Sequence, residues 1–347
     1  MRSTGVSFGV LPSLPNIMKI CTIGDHCCIR LVKQALALKA NGHDVHLIGF
    51  GVPSAREAFS SFAYCKTVQQ LRNSIMLHPD ADVFHVHNEP NWLLTIVKGL
   101  TNKPVVLDVH DSMAYRSDKF KSAMERLAFE MADGLVFVSE SCRDISINEN
   151  PKIKNKPNTV LHSYVNRDFY KTKDWMWVGG VVYQGLTSTD KSAEYMQYAN
   201  YKDCMNKLAK LGLPFHIYTT KRDDYWKEYY NNIISSKTLD YGTLLGQLGH
   251  HDWGLCGNVK EYKDWNVAMP NKLFEYMAGG IPIVAMNCNE IEKFIMEHEV
   301  GISVKSPEEL KERWNERDKC QANVMSKRYE FTMEKNINKL EELYSKI

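Results

Sequence analysis

Apolar positions along this 347-residue chain fall into short runs separated by longer amphipathic stretches. The run Met18-Lys-Ile-Cys-Thr-Ile-Gly24 reads as a buried strand ending at Gly24. Arg30–Ala40 is rich in Ala and Leu at helical spacing and stops at Asn41-Gly42, a pair suited to a helix C-terminus. Asp44–Phe50 is a second strand, and strand, helix and strand within about thirty residues predict a parallel βαβ unit. The alternation continues with strands at Val83–Val86, Val105–Val109, Gly134–Val138 and Thr159–His162, and a helix over Lys119–Met131. A polar, basic loop at Asn148–Asn158 changes the composition, and the pattern restarts at Gly179–Gly185. Further strands are predicted near Phe215–Tyr218, Trp253–Leu255, Ile283–Met286 and Gly301–Val304.

The reading is an α/β chain of two Rossmann-like halves with parallel sheets. Residues 1–17 form an N-terminal extension, 18–168 a first domain, 169–323 a second, and 324–347 a charged amphipathic helix expected to pack back toward the first domain. Ligands of open parallel sheets bind at the carboxyl ends of the strands, so a site is expected in the cleft between the halves.

Composition narrows the function classes. A hydrophobic content of 44% and an aromatic content of 11% are those of a globular protein, and a formal net charge of +2 gives no strong pull toward nucleic acid or an anionic membrane. No apolar run approaches the roughly 18 residues of a membrane span. Residues 1–17 lack the layout of a secretory signal, and Met18 reads as a second start. The nine cysteines are scattered with no Cys-x-x-Cys pair, so neither a disulfide framework nor a metal site is expected, and the cytoplasm is the expected compartment. The pairs Asp223-Asp224 and His250-His251 do not change this, because adjacent residues rarely ligate one ion. The basic run Lys152, Lys154, Lys156 reads as a solvated linker, with peripheral contact to an anionic surface as the alternative.

The segment Met269–Ala285 carries the most chemistry. Pro270 suits a helix start, Gly279-Gly280 a helix end, and Ile283–Ala285 a buried strand. A helix N-terminus facing a cleft binds phosphate through its unpaired N–H groups and dipole, and Lys272 adds a point charge there. Glu275 offers two oxygens to adjacent ribose hydroxyls. Read on residues alone, Lys272 and Glu275 equally suit an i,i+3 surface pair.

The run Asn271–Ala285 resembles the C-terminal signature of GT-B glycosyltransferases, glycosyltransferase family 4 above all. Further segments match in order: Asp82–Asn88 (DVFHVHN), Val105–Asp111 (VVLDVHD), Ala132–Glu140 (ADGLVFVSE), Thr159–Tyr170 and His250–Gly257. The resemblance spans nearly the whole chain from Met18 and implies the GT-B fold, two Rossmann-like domains with parallel sheets facing a central cleft. It implies that Gly185, Lys191, Lys272, Leu273 and Glu275 bind the donor, and that His110 and Lys191 serve catalysis. Gly24, Asp25, His26, His87, Ser139 and Glu140 are the candidates for acceptor or sugar, with Arg30 beside them. Of His85 and His87, two apart on one strand, only His87 is expected at the cleft. Two departures stand out. Val267 occupies the position of the family's first glutamate, and Leu186 follows Gly185 where the family has arginine.

The resemblance thus implies a metal-independent transferase moving a sugar from a nucleotide-diphosphate sugar, UDP-linked above others, to an acceptor hydroxyl with retention of configuration. The acceptor class stays open among glycan, lipid carrier, small metabolite and modified nucleic-acid base. The alternatives are a GT-B sugar-nucleotide epimerase and a non-catalytic nucleotide-sugar-binding subunit.

Overall fold

A computed structural model describes residues 17–53, 55–87, 90–110, 119–170, 177–219, 229–230, 233–235 and 239–347. Residues 1–16 of the extension, and Asn88, Asp111, Asp223 and Asp224, lie outside the described residues.

Two parallel sheets organise the chain. The first holds β1 (Lys19–Gly24), β2 (Asp44–Gly49), β3 (Ser61–Tyr64), β4 (Val83–His87), β5 (Val105–Val109), β6 (Gly134–Phe137) and β7 (Asn158–Val160), in the order β3-β2-β1-β4-β5-β6-β7. The second holds β8 (Val181–Gln184), β9 (Phe215–Thr219), β10 (Ile233–Ser235), β11 (Trp253–Gly257), β12 (Ile283–Met286) and β13 (Gly301–Val304), in the order β10-β9-β8-β11-β12-β13. Both reverse direction of growth beside their first strand, which opens a crevice at the carboxyl ends of β1 and β4 and of β8 and β11.

Among the described residues the helices between strands are α1 (Ile29–Ala40), α2 (Val68–Met76), α3 (Trp92–Lys98), α4 (Lys119–Met131), α5 (Glu140–Glu149), α6 (Lys202–Lys210), α7 (Tyr241–Leu248), α8 (Asn271–Gly279) and α9 (Asn289–His298), and α10 (Pro307–Glu312) and α11 (Arg317–Lys327) follow β13. Helix α8 follows an extended Pro270 and ends on Gly280, whose φ of 78° is the left-handed conformation that a C-terminal glycine allows. Its packing depends on a second glycine. A Cβ at Gly254 of β11 would sit 2.3 Å from the Tyr276 ring, so the bare backbone lets that ring lie flat on the strand.

The tail differs from the single helix expected over 324–347. After α11 the chain makes a 3-10 turn at Arg328–Phe331, then two short helices, α12 (Met333–Asn336) and α13 (Asn338–Tyr344). The break is at Thr332, whose extended backbone forms a parallel bridge with Val165 while its hydroxyl caps α12 through the N–H of Lys335. From there the tail runs under the first sheet. Leu343 meets Gly134, Glu341 accepts from Asn41 and lies 2.9 Å from His43 Nε2, and the Tyr344 hydroxyl lies 2.7 Å from His85 Nδ1. One apolar cluster joins the two halves and the tail, from Leu31 and Ala35 through Tyr164 and Val165 to Phe274, Met277 and Leu340.

Beneath the second sheet, His251 is 1% exposed with Nδ1 2.9 Å from the Gly179 carbonyl. Burial pushes it down to about 4, opposed in part by that bond. The unfolded chain takes up this proton near pH 6.5 while the fold resists it until about pH 4, so stability falls as pH drops through that window. The loss attributable to His251 is about 3 kcal/mol. Urea melts of wild type and His251→Gln between pH 7.5 and 4.5 check this. The variant should lose less stability on acidification, and identical pH slopes would contradict the assignment.

Candidate functional site

The first half presents a buried polar centre. Asp108 lies mid-strand in β5 and is fully buried, where an unpaired carboxylate would be costly. Helix α1 resolves this by directing Arg30 and Gln34, one turn apart, at the same group. Arg30 Nε lies 3.0 and 3.1 Å from the two carboxylate oxygens, its Nη2 2.9 Å from Oδ1, and Gln34 Nε2 donates to Oδ2 at 2.6 Å. Three imidazoles surround the same carboxylate. His85 Nε2, His87 Nδ1 and His110 Nε2 stand 3.7, 3.8 and 3.7 Å away. Burial alone would raise the Asp108 carboxyl, but the Arg30 guanidinium and the imidazoles outweigh it and hold the group well below the usual carboxylate range. Burial in turn lowers His87 well below 6.5 and His85 to about 4, so both rings are neutral at neutral pH.

The expectation that only His87 of the β4 pair turns to the cleft is corrected. Residues two apart on a strand share a face, and the two rings stack at 4.6 Å, both buried against Asp108. His110 is the more accessible histidine, with 21% of its side chain exposed, and its Nε2 lies 3.1 Å from His87 Nδ1.

The β1–α1 loop is less committed. The space a side chain would need at Gly24 is taken by the His26 carbonyl, 3.0 Å from an added Cβ, and by Leu31. Asp25 and His26 are exposed and 4.0 Å apart. Ser139 caps α5 by accepting from the N–H of Cys142, and Glu140 is half exposed with one oxygen 3.8 Å from His162 Nε2.

In the second half, the first turn of α8 faces Gly185. Gly185 has a φ of 140°, and a Cβ there would lie 3.5 Å from Lys272 Cε. The Lys272 ammonium sits between two rings, 5.0 Å from the centroid of Tyr183 and 4.9 Å from that of Trp265. No carboxylate pairs with it among the described residues, and burial lowers its pKa. Leu273 is buried in the core and its N–H is turned to the Pro270 carbonyl. The N–H groups of Asn271 and Lys272 therefore open the helix. Lys191 stands exposed on the loop after β8.

The surface-pair reading of Lys272 and Glu275 does not hold. Glu275 is 3% exposed and turns the other way, where Oε1 accepts from the Tyr241 hydroxyl at 2.9 Å and from Lys33 Nζ at 3.5 Å. Lys33, fully buried on α1, also donates to the Ser163 carbonyl at 3.2 Å and reaches Asn271 Oδ1 at 3.5 Å. This ion pair ties the halves together and leaves Oε2 of Glu275 for another partner. Two more polar links cross the same seam. The Ser139 hydroxyl donates to the Val267 carbonyl at 2.9 Å, and Ser141 donates to Glu290 at 2.6 Å. The position where the family has its first glutamate is thus held to the first half by backbone.

Sequence reading missed Asp108, Lys33, Gln34, Tyr241 and the ring pair Tyr183 and Trp265. Only Asp108 carried a local signal: a carboxylate inside an apolar strand demands partners. The others are polar or aromatic positions whose partners lie far along the chain.

Residues 30–169 match the model of Glycosyltransferase Family 4, and residues 195–340 match that of the Glucosyltransferase 3-like C-terminal domain. No curated protein matches the sequence. Among solved structures the chain is similar to WaaG, a glycosyltransferase involved in lipopolysaccharide biosynthesis, at 13% identity and a TM-score of 0.64, over 94% of this chain and 99% of that one. It is similar to AviGT4, a glycosyltransferase involved in avilamycin A biosynthesis, at 12% identity and 0.59, over 95% and 97%. An α-glucosyltransferase in complex with UDP and DNA aligns at 12% identity and 0.58, over 94% and 99%.

Proposed function

We propose that this chain, a GT-B glycosyltransferase resembling family 4, moves a sugar from a nucleotide-diphosphate sugar to an acceptor hydroxyl with retention of configuration. The observation that carries the reading is the Lys272 ammonium, held between Tyr183 and Trp265 at the start of α8 without an anionic partner among the described residues. A cation kept half-buried and unpaired beside a helix N-terminus suits a diphosphate, whose charge grows as the glycosidic bond breaks. Gly185 leaves room opposite it for that group. Lys191, exposed on the loop after β8, is the second cation assigned to the phosphates, in place of the arginine that the family has where this chain has Leu186. Glu275 contributes Oε2 to the ribose hydroxyls while Tyr241 and Lys33 fix Oε1. His110, the accessible member of the Asp108 cluster, faces the transferred sugar. Gly24, Asp25, His26, Ser139 and Glu140 border the acceptor side. The leaving phosphate oxygen takes the acceptor proton, so no metal and no carboxylate dyad are needed at the diphosphate. UDP is the favoured nucleotide because the similar α-glucosyltransferase was solved with it. The acceptor is a hydroxyl of a glycan, lipid carrier, small metabolite or modified base.

A thermal-shift screen against UDP-, GDP- and ADP-sugars should raise the melting temperature with one nucleotide class. Transfer to an acceptor panel, with the product anomer read by NMR, then tests the chemistry. Conversion to the C2 epimer without acceptor would establish the epimerase instead. Binding with neither transfer nor hydrolysis would establish a binding subunit. Glu275→Gln is expected to weaken donor binding at least tenfold by removing the charge on the ribose-facing oxygen, while its amide oxygen still accepts from Tyr241. Unchanged donor affinity, read by calorimetry, would remove Glu275 from the donor site.

A further inference from the structure

Cys28 precedes α1 at the end of the β1 loop, His87 closes β4, and His110 follows β5; β1, β4 and β5 are consecutive neighbours in the first sheet. The topology therefore gathers one thiol and two imidazoles at a single sheet edge, with their ligand atoms all within 4.8 Å of one another. We propose that Cys28, His87 and His110 bind one thiophilic divalent cation of the zinc class. His110 is shared with the sugar-facing role proposed above, and the test reads metal binding alone, so this site can fail without the transferase reading failing.

Three observations support it. First, the spacing suits coordination. Zinc bonds of about 2.0–2.1 Å to nitrogen and 2.3 Å to sulfur place tetrahedral ligands about 3.3–3.6 Å apart. His87 Nδ1 and His110 Nε2 are already 3.1 Å apart, and Cys28 Sγ needs to close by no more than about 1.5 Å. Second, the donor set is selective. One thiolate and two imidazoles favour zinc, cobalt or copper over magnesium or calcium, which prefer oxygen. Third, the surroundings hold the ligands. The Asp108 carboxylate lies 3.8 and 3.7 Å from the two ligand nitrogens, supplying negative charge beside the ion, and Arg30 and Gln34 fix it in place. The guanidinium charge of Arg30 is already paired with that carboxylate, so it does not stand alone against the cation.

Binding breaks the His87–His110 hydrogen bond, the ring that donated it carrying its proton on its other nitrogen instead, and releases the Cys28 thiol proton to solvent as the Sγ–metal bond forms. Three protein ligands leave a fourth position. His87 is 3% exposed whereas Cys28 and His110 are half-buried, so that position lies on the open side, where a water completes the shell. The sequence concealed this group because its members lie at the start of α1, the end of β4 and just past β5, with no recognisable spacing.

The test uses the full chain stripped by chelator and titrated with Co²⁺. One equivalent is expected to give the visible bands of tetrahedral cobalt and a near-ultraviolet thiolate-to-cobalt band, both erased by one equivalent of Zn²⁺. Cys28→Ser should abolish the thiolate band, His110→Ala should weaken binding at least tenfold, and Cys27→Ser should change neither. Cys27 is the right control because, with Cys28, it is one of the two cysteines that are not buried. Should Cys28→Ser fail to fold, X-ray absorption on the wild-type zinc form decides, with one sulfur and two imidazole nitrogens in the expected shell. Absence of a stoichiometric cobalt spectrum, a sulfur-free shell, or binding indifferent to Cys28→Ser and His110→Ala would overturn the proposal.

Discussion

Asp108→Ala is expected to cost about 3–5 kcal/mol of unfolding free energy, a large part of what holds an ordinary domain together. The carboxylate itself is not a strong net stabiliser, because burying it and Arg30 forfeits the hydration of both. What the substitution exposes is the remainder: a guanidinium only 3% exposed and the Gln34 amide, both aimed at an empty centre. Asp108→Asn should lose nearly as much, since it keeps the volume and one acceptor but removes the charge that balances Arg30. The double substitution Arg30→Met with Asp108→Leu should recover most of the loss, because it removes both charges together. Denaturant melts followed by tryptophan fluorescence and by circular dichroism measure all three. A loss below about 1 kcal/mol for Asp108→Ala would mean that water reaches the cluster and that burial does not govern it.

Lys272→Ala should behave in the opposite way, leaving the fold intact and removing the activity. The ammonium has no carboxylate to abandon among the described residues, and burial already disfavours its charge, so truncation costs the fold little. On the proposed reading it meets a diphosphate that gains charge in the transition state, so turnover should fall about 100- to 1,000-fold. Donor affinity should fall less than kcat/KM, because the ground state carries less charge on the bridging oxygen than the transition state does. Lys272→Arg should restore part of the rate, since a guanidinium also fits between Tyr183 and Trp265. Steady-state transfer rates beside direct donor titrations separate these quantities. A rate within threefold of wild type would move the diphosphate away from α8.

How far the sequence could be read depended on whether an element's cause was local. Strands β5, β12 and β13 and helix α4 appear at the bounds their apolar runs predict, because strands covered on both faces are largely apolar, Asp108 of β5 being the exception its partners explain. Helix α8 was equally legible from Pro270 and Gly280. The edge strands β3 and β10 were not. Phe62 and Tyr64 of β3 are exposed, so no buried face imposed a pattern on that stretch. The site divided in the same way. Lys272 and Glu275 were found because one short segment holds them both. The partners that decide what Glu275 does, Tyr241 and Lys33, lie 34 and 242 positions away. Period-two geometry was available for His85 and His87, yet Asp108 as their shared neighbour emerges only once β4 and β5 are paired side by side.

The passage of residues 328–347 beneath the first sheet bears on how the chain is made. His85 Nδ1, the outer face of Gly134 and the edge at Val165 are finished by Tyr344, Leu343 and Thr332. During synthesis the first sheet can assemble early, but these surfaces stay bare until residues 328–347 have emerged and docked. The two halves are therefore not separable modules despite their separate sheets. A fragment cut after residue 168 would lack part of its own underside and leave His85, Gly134 and Val165 without these partners.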